Sequence, residues 1–189
     1  VEIDDTDSTR FENDTDVILP LVKKALRRAD NIVIKHGLEF GKSSTTLTVS
    51  SGASTTAAPA DFKRDIGLFT NNQEIKKLDT YNFETLQYGD YYRINGANIE
   101  LMEAVDDDTD YTFWYWPLTD YSSYTTTSTM PWSGKLDDII VNYVALMLKN
   151  LDEYDASMDV ALTKELEQMI LDVYQPLTPV LQERQGWNI

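Results

Sequence analysis

The chain has 189 residues, of which 42% are hydrophobic and 11% aromatic. This composition suits one packed domain, or a domain with one sizeable insertion, and excludes a disordered protein. Its 16 Lys and Arg residues against 32 Asp and Glu residues give a formal net charge of -16, which argues against a surface that grips nucleic-acid phosphates. The absence of cysteine excludes disulfides, cysteine-based zinc sites and thiol nucleophiles.

The first predicted element is an amphipathic helix that follows an acidic segment, residues 1–16. In DVILPLVKKALRRADNIVIKHG, apolar residues recur at spacings of three and four, which predicts a helix over residues 15–36. Gly37 suits the end of this helix, and Pro20 is tolerated because it lies near the first turn. Side chains able to cap the start are Asp14, Thr15 and Asp16.

Four basic side chains fall together on the polar side of this helix. They form either a solvated face or a contact for an acidic neighbour or for the acidic N-terminal segment. The four residues are Lys23, Lys24, Arg27 and Arg28.

An inserted β-rich region is predicted over residues 43–120. Residues 43–60 are rich in Ser and Thr around TTLTV, which predicts either a strand followed by a loop or a mobile arm. Further short strands are predicted at IGLFTN, YYRING, ANIELMEAV and YTFWYW. Asn95-Gly96 between YYRI and NIEL predicts a hairpin, because Asn-Gly accepts the positive φ angles of a tight turn.

The stretch DYTFWYWPLTDY, residues 110–121, is rich in aromatic side chains. A sugar-binding platform would more usually expose one aromatic face, whereas strand alternation places rings on both sides of this segment. The pattern therefore favours a strand covered on both sides, by the chain itself or by a neighbouring subunit. Thr112, Trp114 and Trp116 are assigned to one side, and Tyr111, Phe113 and Tyr115 to the other.

Two helices are predicted near the C-terminus. Ser133 can cap the first, KLDDIIVNYVALMLKNLDEYD, which has almost no polar face and is therefore expected at the centre of the helices. The second, SMDVALTKELEQMILDVYQ, has one apolar stripe that is expected to pack over the first. The tail, residues 176–189, is either ordered by a partner or folded back onto its own domain. The stripe consists of Leu162, Leu166, Met169, Ile170 and Val173.

No motif for catalysis or metal binding is evident. A Ser-His-Asp triad would have to use His36, the only histidine, and no G-x-S-x-G turn presents a nucleophile. The acidic run DDDTD, residues 106–110, fails as an EF-hand, because Tyr111 stands where the loop needs Gly and Pro117 where it needs Glu. A charged turn between two strands is the better interpretation. We therefore predict no enzyme activity, no cofactor and no metal.

Neither a membrane span nor a secretion signal is expected. No apolar run approaches the ~20 residues of a membrane-spanning helix. The acidic beginning is the opposite of a basic signal-peptide start, and the lack of cysteine fits assembly in a reducing cytoplasm. The expectation is a soluble protein that is not secreted.

The order of these elements resembles the head-to-tail adaptor, or head completion, proteins of tailed bacteriophages. The motif PADF at residues 59–62 and the hairpin YRINGANIEL carry most of this resemblance, which extends over residues 15–175. The resemblance implies a single domain over residues 1–189 with an α+β, mainly helical fold. In this fold, one N-terminal and two C-terminal helices, residues 15–36 and 133–175, form a bundle with an inserted antiparallel β-region.

The resemblance also implies a function, that of a structural virion protein in the head-tail neck, assembled in the host cytoplasm. Such a protein forms a homo-oligomeric, dodecameric ring that joins the portal protein to a tail or further neck protein. DNA passes through the ring without sequence-specific binding, and no membrane is involved. Portal contacts are predicted in the tail at Gln182, Arg184, Trp187, Asn188 and Ile189. Subunit contacts are predicted at Trp114, Trp116, Tyr121 and Tyr124.

The alternative function is a carbohydrate-binding or carbohydrate-cleaving module of a phage tail or surface protein, which rests on the richness in aromatic and acidic residues. It predicts a monomer whose exposed tryptophans are quenched by glycans, whereas an adaptor forms a ring with the portal. A third interpretation, another neck or tail-tube component, differs from the adaptor only in its partners.

Overall fold

A computed structural model describes residues 14–71, 73–79, 86, 89–149 and 156–174. These residues form three α-helices and a seven-stranded mixed sheet. The helices are α1 (Leu19–His36), α2 (Asp137–Lys149) and α3 (Ala156–Val173). The strands are β1 (Ser43–Val49), β2 (Thr55–Ala57), β3 (Phe62–Thr70), β4 (Gln73–Lys77), β5 (Tyr91–Asn95), β6 (Asn98–Leu101) and β7 (Thr109–Pro117).

The expectation of a mainly helical protein with a small antiparallel insertion is wrong. The fold has about 30% strand and 39% helix, and its sheet is nearly barrel-shaped. The strands follow the order β1-β7-β3-β4-β5-β6-β2, and the β4–β5 pair is parallel, so the sheet is mixed. The two edge strands approach each other, since Thr56 Oγ1 donates to the Thr48 carbonyl over 3.4 Å. This approach almost closes the barrel.

Two of the seven strands lack the alternation that predicts a strand. β4 has the sequence QEIKK and buries only Ile75, and β2 is a three-residue strand without a buried side chain. Both are strands because longer neighbours pair with them: β3 pairs with β4, and β6 with β2. Tertiary pairing therefore overrides local preference, which is why the strand content exceeds the expectation.

The predicted hairpin is confirmed. β5 and β6 pair with Asn95 opposite Asn98, and Gly96 has the positive φ of 60° that the turn requires. Residues 43–60 were predicted as either a strand followed by a loop or a mobile arm. They form β1, a turn and β2. The hydrophobic core inside the barrel consists of Val49, Leu68, Ile75, Tyr92, Ile99, Leu101, Tyr111, Phe113 and Tyr115.

The first helix follows the prediction except at its start. A π-helical turn, Asp14–Ile18, precedes α1, and the N-cap residue Ile18 makes no side-chain capping bond. The side-chain cap predicted at residues 14–16 is therefore wrong for α1. Pro20 lies in the first turn, where its missing N–H is harmless, and Gly37 ends the helix with a left-handed φ of 65°.

The second helix differs from the prediction in its start, whereas its contacts with both α1 and α3 agree with the expected central position. Ser133 lies in a short 3-10 turn, Trp132–Gly134, with a φ of 53°, and α2 begins only at Asp137. The predicted Ser133 cap is therefore wrong. Val141 on α2 is 64% exposed, so the helix is not enclosed within the described part of the chain.

The third helix packs through most of its predicted stripe. Met169 is partly buried, whereas Val173 at the end of the stripe is 63% exposed. Leu162, Leu166 and Ile170 are buried in a second core that α1, α2 and α3 share. Further buried residues of this helical core are Ala25, Leu26, Ala29, Ile32, Val33, Ile34, Leu38, Trp116, Tyr121, Leu136, Ile140, Tyr143, Val144 and Met147.

Candidate functional site

Strand β7 connects the barrel to the helical core. The predicted alternation of its side chains is confirmed, because Tyr111, Phe113 and Tyr115 are buried inside the barrel. On the other side of the strand Thr112 is exposed, Trp114 is half-buried and Trp116 is buried in the helical core. Most of the aromatic rings of β7 are therefore buried in one of the two cores.

Trp116 is a side chain of β7 that is buried in the helical core and so attaches the strand to the helices. Its indole Nε1 donates to the Leu38 carbonyl over 3.0 Å, and a Cβ atom on Gly37 would lie only 3.3 Å from its ring. The guanidinium of Arg64 on β3 lies 5.0 Å from the ring centroid and donates to the Ile34 carbonyl over 2.8 Å. Because a cation is favoured beside the last carbonyls of a helix, Trp116 and Arg64 together fix the end of α1 against the barrel.

The PADF motif builds the neighbouring corner of the same joint. Asp61 accepts a hydrogen bond from the Tyr115 hydroxyl at 3.1 Å, and its carbonyl accepts one from the Leu118 N–H at 2.8 Å. Burial, followed by the Asp61 carboxylate, raises the pKa of Tyr115. The Phe62 ring lies 5.5 Å from Phe113, centroid to centroid. The motif therefore fastens β3 to the end of β7.

Three of the four basic side chains predicted on the polar side of α1 are bonded within the chain. Lys24 and Arg28 both pair with the carboxylate of Asp159 on α3, and Lys23 donates to the Ser122 carbonyl over 2.8 Å. The acidic neighbour of this cluster is therefore α3 itself. Residues 1–13 of the acidic segment, the other neighbour considered, lie outside the described residues.

Replacing Arg28 with Leu should destabilise the protein by about 2 kcal/mol. The Arg28 side chain is only 14% exposed, and it donates to the Tyr143 hydroxyl on α2 as well as to Asp159. Its loss leaves a buried hydroxyl and a carboxylate without this partner. Urea unfolding followed by tryptophan fluorescence measures the change.

Lys24→Leu is the matched control, because Lys24 pairs with the same carboxylate from a position that is 39% exposed. A surface pair of this kind contributes at most about 1 kcal/mol. Equal losses for the two variants would show that Arg28 has no special role in joining the helices.

His36 also connects two helices. Its Nε2 contacts the carboxylate of Glu167 on α3, and Lys35 donates to the same carboxylate over 2.7 Å. Lys35 and then His36 lower the pKa of Glu167. The only histidine of the chain therefore has a structural partner at the end of α1.

Asp30 is a buried charge that no motif in the sequence indicates. It is 3% exposed, accepts a hydrogen bond from the Thr119 N–H at 3.1 Å and lies beside the Tyr121 hydroxyl. Burial raises the pKa of Asp30 to about 6, and burial together with the Asp30 charge raises the pKa of Tyr121. A helical projection could have found it, since Leu26 and Ile34, one turn away on either side, are both buried.

The residues predicted to contact a neighbouring subunit do not share one surface. Trp116 and Tyr121 are 6% and 0% exposed and belong to the chain's own helical core. Trp114 and Tyr124 are half-buried: Lys42 Nζ lies 5.3 Å from the Trp114 ring centroid, and Tyr124 packs edge-on against Tyr121. Trp114 and Tyr124 thus have surface left for a subunit contact. The predicted portal contacts Gln182, Arg184, Trp187, Asn188 and Ile189 lie outside the described residues.

The acidic run forms the charged turn that was predicted. Residues 106–108 lie between β6 and β7, and Asp108 Oδ1 accepts a hydrogen bond from the Ser51 N–H at 2.8 Å. Asp110, already in β7, accepts one from Thr48 Oγ1 at 2.6 Å. These contacts hold the turn against the end of β1.

The described residues give few indications of a chemical class. None of their helices is both long enough and apolar enough to cross a membrane. In the same part of the chain, no three His, Cys, Asp or Glu side chains are grouped so that they could hold a metal ion. Neither a protein-family model nor a curated protein matches the sequence.

Proposed function

We propose that the protein is a head-to-tail adaptor of a tailed bacteriophage, a structural virion protein that forms a ring beneath the portal and links it to the tail. The observation that carries this proposal is the use of the two motifs behind the resemblance. PADF fastens β3 to β7 through Asp61 and Tyr115, and the YRINGANIEL hairpin forms β5 and β6. Both motifs build a scaffold, as expected for a protein whose function is mechanical.

The charge of the chain also supports this function. A formal net charge of -16 lets DNA pass through a channel without adhering to the wall, because binding to phosphates requires clustered cations. In the described part of the chain, Lys24 and Arg28 of the basic cluster on α1 share the Asp159 carboxylate, and Lys23 donates to the Ser122 carbonyl. The proposed partners are the portal protein, a tail or neck protein, and further copies of this chain.

Subunit contacts in the proposed ring fall to Trp114 and Tyr124. Both retain partial exposure, whereas the other two predicted contacts are buried within the chain. Val141 on α2 adds an exposed apolar position that packing within the described residues leaves uncovered. A heterologous ring buries such positions between identical subunits.

The carbohydrate alternative has less support. Every aromatic side chain in the described part of the chain is at least partly buried, and Lys42 Nζ lies over the Trp114 ring. A sugar platform requires an accessible ring face. Titration with glycans should therefore leave the tryptophan fluorescence unchanged.

The experiment that tests the proposal is assembly with the portal protein encoded in the same genome. Size-exclusion chromatography with light scattering should show a ring-sized complex that contains both proteins. Trp187→Ala should weaken portal binding by about thirtyfold, because a buried tryptophan anchor typically contributes 2 kcal/mol or more to an interface.

Glu183→Ala provides the control within the same tail, since Glu183 is not among the predicted portal contacts. It should bind the portal as the unmodified chain does. A chain that stays monomeric in the presence of the portal would exclude the adaptor function, and equal binding by the two tail variants would exclude Trp187 as an anchor.

A further inference from the structure

A pocket of about 360 Å³ opens at the end of the barrel where β6 leads into β7. The buried side chains of Ile75 and Leu101 supply the apolar part of its lining. Three exposed acidic residues, Asp90, Asp106 and Asp107, also line it. The acidic run between the strands thus faces a cavity.

No cation within the described part of the chain neutralises these three carboxylates. None of them makes an ion pair within 4.0 Å, and residues 80–88, between β4 and β5, include no Lys or Arg. Other acids nearby are used by the backbone, since Glu103 accepts from the Gly89 N–H at 2.9 Å and Asp108 from the Ser51 N–H. Three unpaired negative charges around one cavity attract a cation.

Tyr111 provides an independent indication of a ligand. It is 8% exposed and lines the same pocket, yet its hydroxyl forms no hydrogen bond within the residues that the structure describes. The hydroxyl oxygen is not enclosed by the protein, so a ligand in the pocket can form a hydrogen bond with it. Burial, and then the charge of Asp90, raises the pKa of Tyr111. The ring of Tyr91 adds a second aromatic surface to the lining.

The chemistry of this pocket fits an organic cation better than a metal ion. Its carboxylates are not grouped as a metal-ligand set. Its volume is far larger than a bare ion needs and falls in the lower range for sites of small organic groups. A planar guanidinium pairs with carboxylates through two parallel hydrogen bonds and stacks on aromatic rings, which an ammonium does less well.

We propose that this pocket binds an arginine side chain presented by a basic segment of a partner protein. The guanidinium pairs with Asp106 and Asp107 at the mouth of the pocket and lies against the tyrosine rings. One of its N–H groups donates to the Tyr111 hydroxyl oxygen. A linear polyamine is a poorer fit, because its charges are spread along a chain, whereas the three acidic residues line one cavity. The inference does not depend on the adaptor function.

The test is a titration of the isotope-labelled full chain at low salt, followed by amide NMR. The probe is the capped tripeptide Gly-Arg-Gly, and its control is the same peptide with citrulline, which keeps the shape of the side chain without its charge. Saturable shifts at the amides of Asp106 and Tyr111 are expected with the arginine peptide and none with the citrulline peptide. Equal shifts with both peptides would overturn the proposal.

Variants separate a specific site from general attraction to an acidic protein. The double variant Asp106→Asn, Asp107→Asn should weaken binding at least about fivefold, and Tyr111→Phe about threefold. The control double variant Asp138→Asn, Asp172→Asn removes the same charge from the helices and should bind normally. Equal weakening by both double variants would overturn the proposal, as would tighter binding of spermidine or Mg²⁺ at the same amides.

Discussion

Replacing Trp116 with Ala is expected to destabilise the protein by about 4 kcal/mol, the range found for large aromatic side chains deleted from a core. Trp116 is buried at the joint between the barrel and the helical core, where it contacts Gly37, Arg64 and the Leu38 carbonyl. Its removal leaves a cavity in the helical core and removes the cation–π partner of Arg64. Urea unfolding followed by circular dichroism measures the loss.

Two further variants separate the causes. Trp116→Phe keeps most of the ring but leaves the Leu38 carbonyl without its donor, so a loss of about 2 kcal/mol is expected. Trp114→Ala removes a half-buried ring from the same strand and should cost only about 1 kcal/mol. If Trp114→Ala destabilises as much as Trp116→Ala, the special role of Trp116 as a joint is contradicted.

The features of the fold that were predictable are those encoded within a few neighbouring residues. The Asn95-Gly96 turn fixes the β5–β6 hairpin because its backbone needs a positive φ, and alternation in β7 follows from the pleat of any strand. Gly37 ends α1 for the same local reason. Each of these signals is complete in the sequence without knowledge of distant partners.

The closure of the sheet depends on partners that are distant in sequence. β2 and β4 contribute almost no buried side chains, so nothing local distinguishes them from polar loops. Their pairing with β6 and β3 creates the strands, and the approach of β1 to β2 creates the nearly closed barrel. The expected helical majority was wrong because these pairings are not visible in the sequence.

Which aromatic rings of β7 remain accessible to a partner could not be predicted from the sequence either. Thr112, Trp114 and Trp116 point to the same side of β7, and alternation gives no way to tell them apart. Their exposure differs because the strand runs from the open surface to the end of α1, where the Leu38 carbonyl accepts a hydrogen bond from the Trp116 indole. Position along the strand therefore decides which ring is available to a partner, and that position is a property of the assembled fold.

Asp30→Asn is expected to make the protein more stable at pH 7 by up to about 3 kcal/mol. Burial raises the pKa of Asp30 to about 6 in the folded chain, against about 3.9 in an unfolded chain. The folded state therefore holds the proton more tightly, and the stability that Asp30 contributes is fully present below about pH 4 and is lost as the pH rises through 6. An asparagine keeps an oxygen that can accept the Thr119 N–H but has no charge to bury.

The decisive measurement is the difference in unfolding free energy between Asp30→Asn and the unmodified chain from pH 4 to pH 8, because the contributions of the other carboxylates cancel in it. This difference should rise between about pH 4 and pH 6 and then level off. Asp138→Asn, which removes an exposed carboxylate from α2, serves as the control and should give a nearly flat difference. A flat profile for Asp30→Asn as well would mean that the Thr119 N–H and the Tyr121 hydroxyl compensate the buried charge, and that Asp30 ionises in the folded chain as readily as in water.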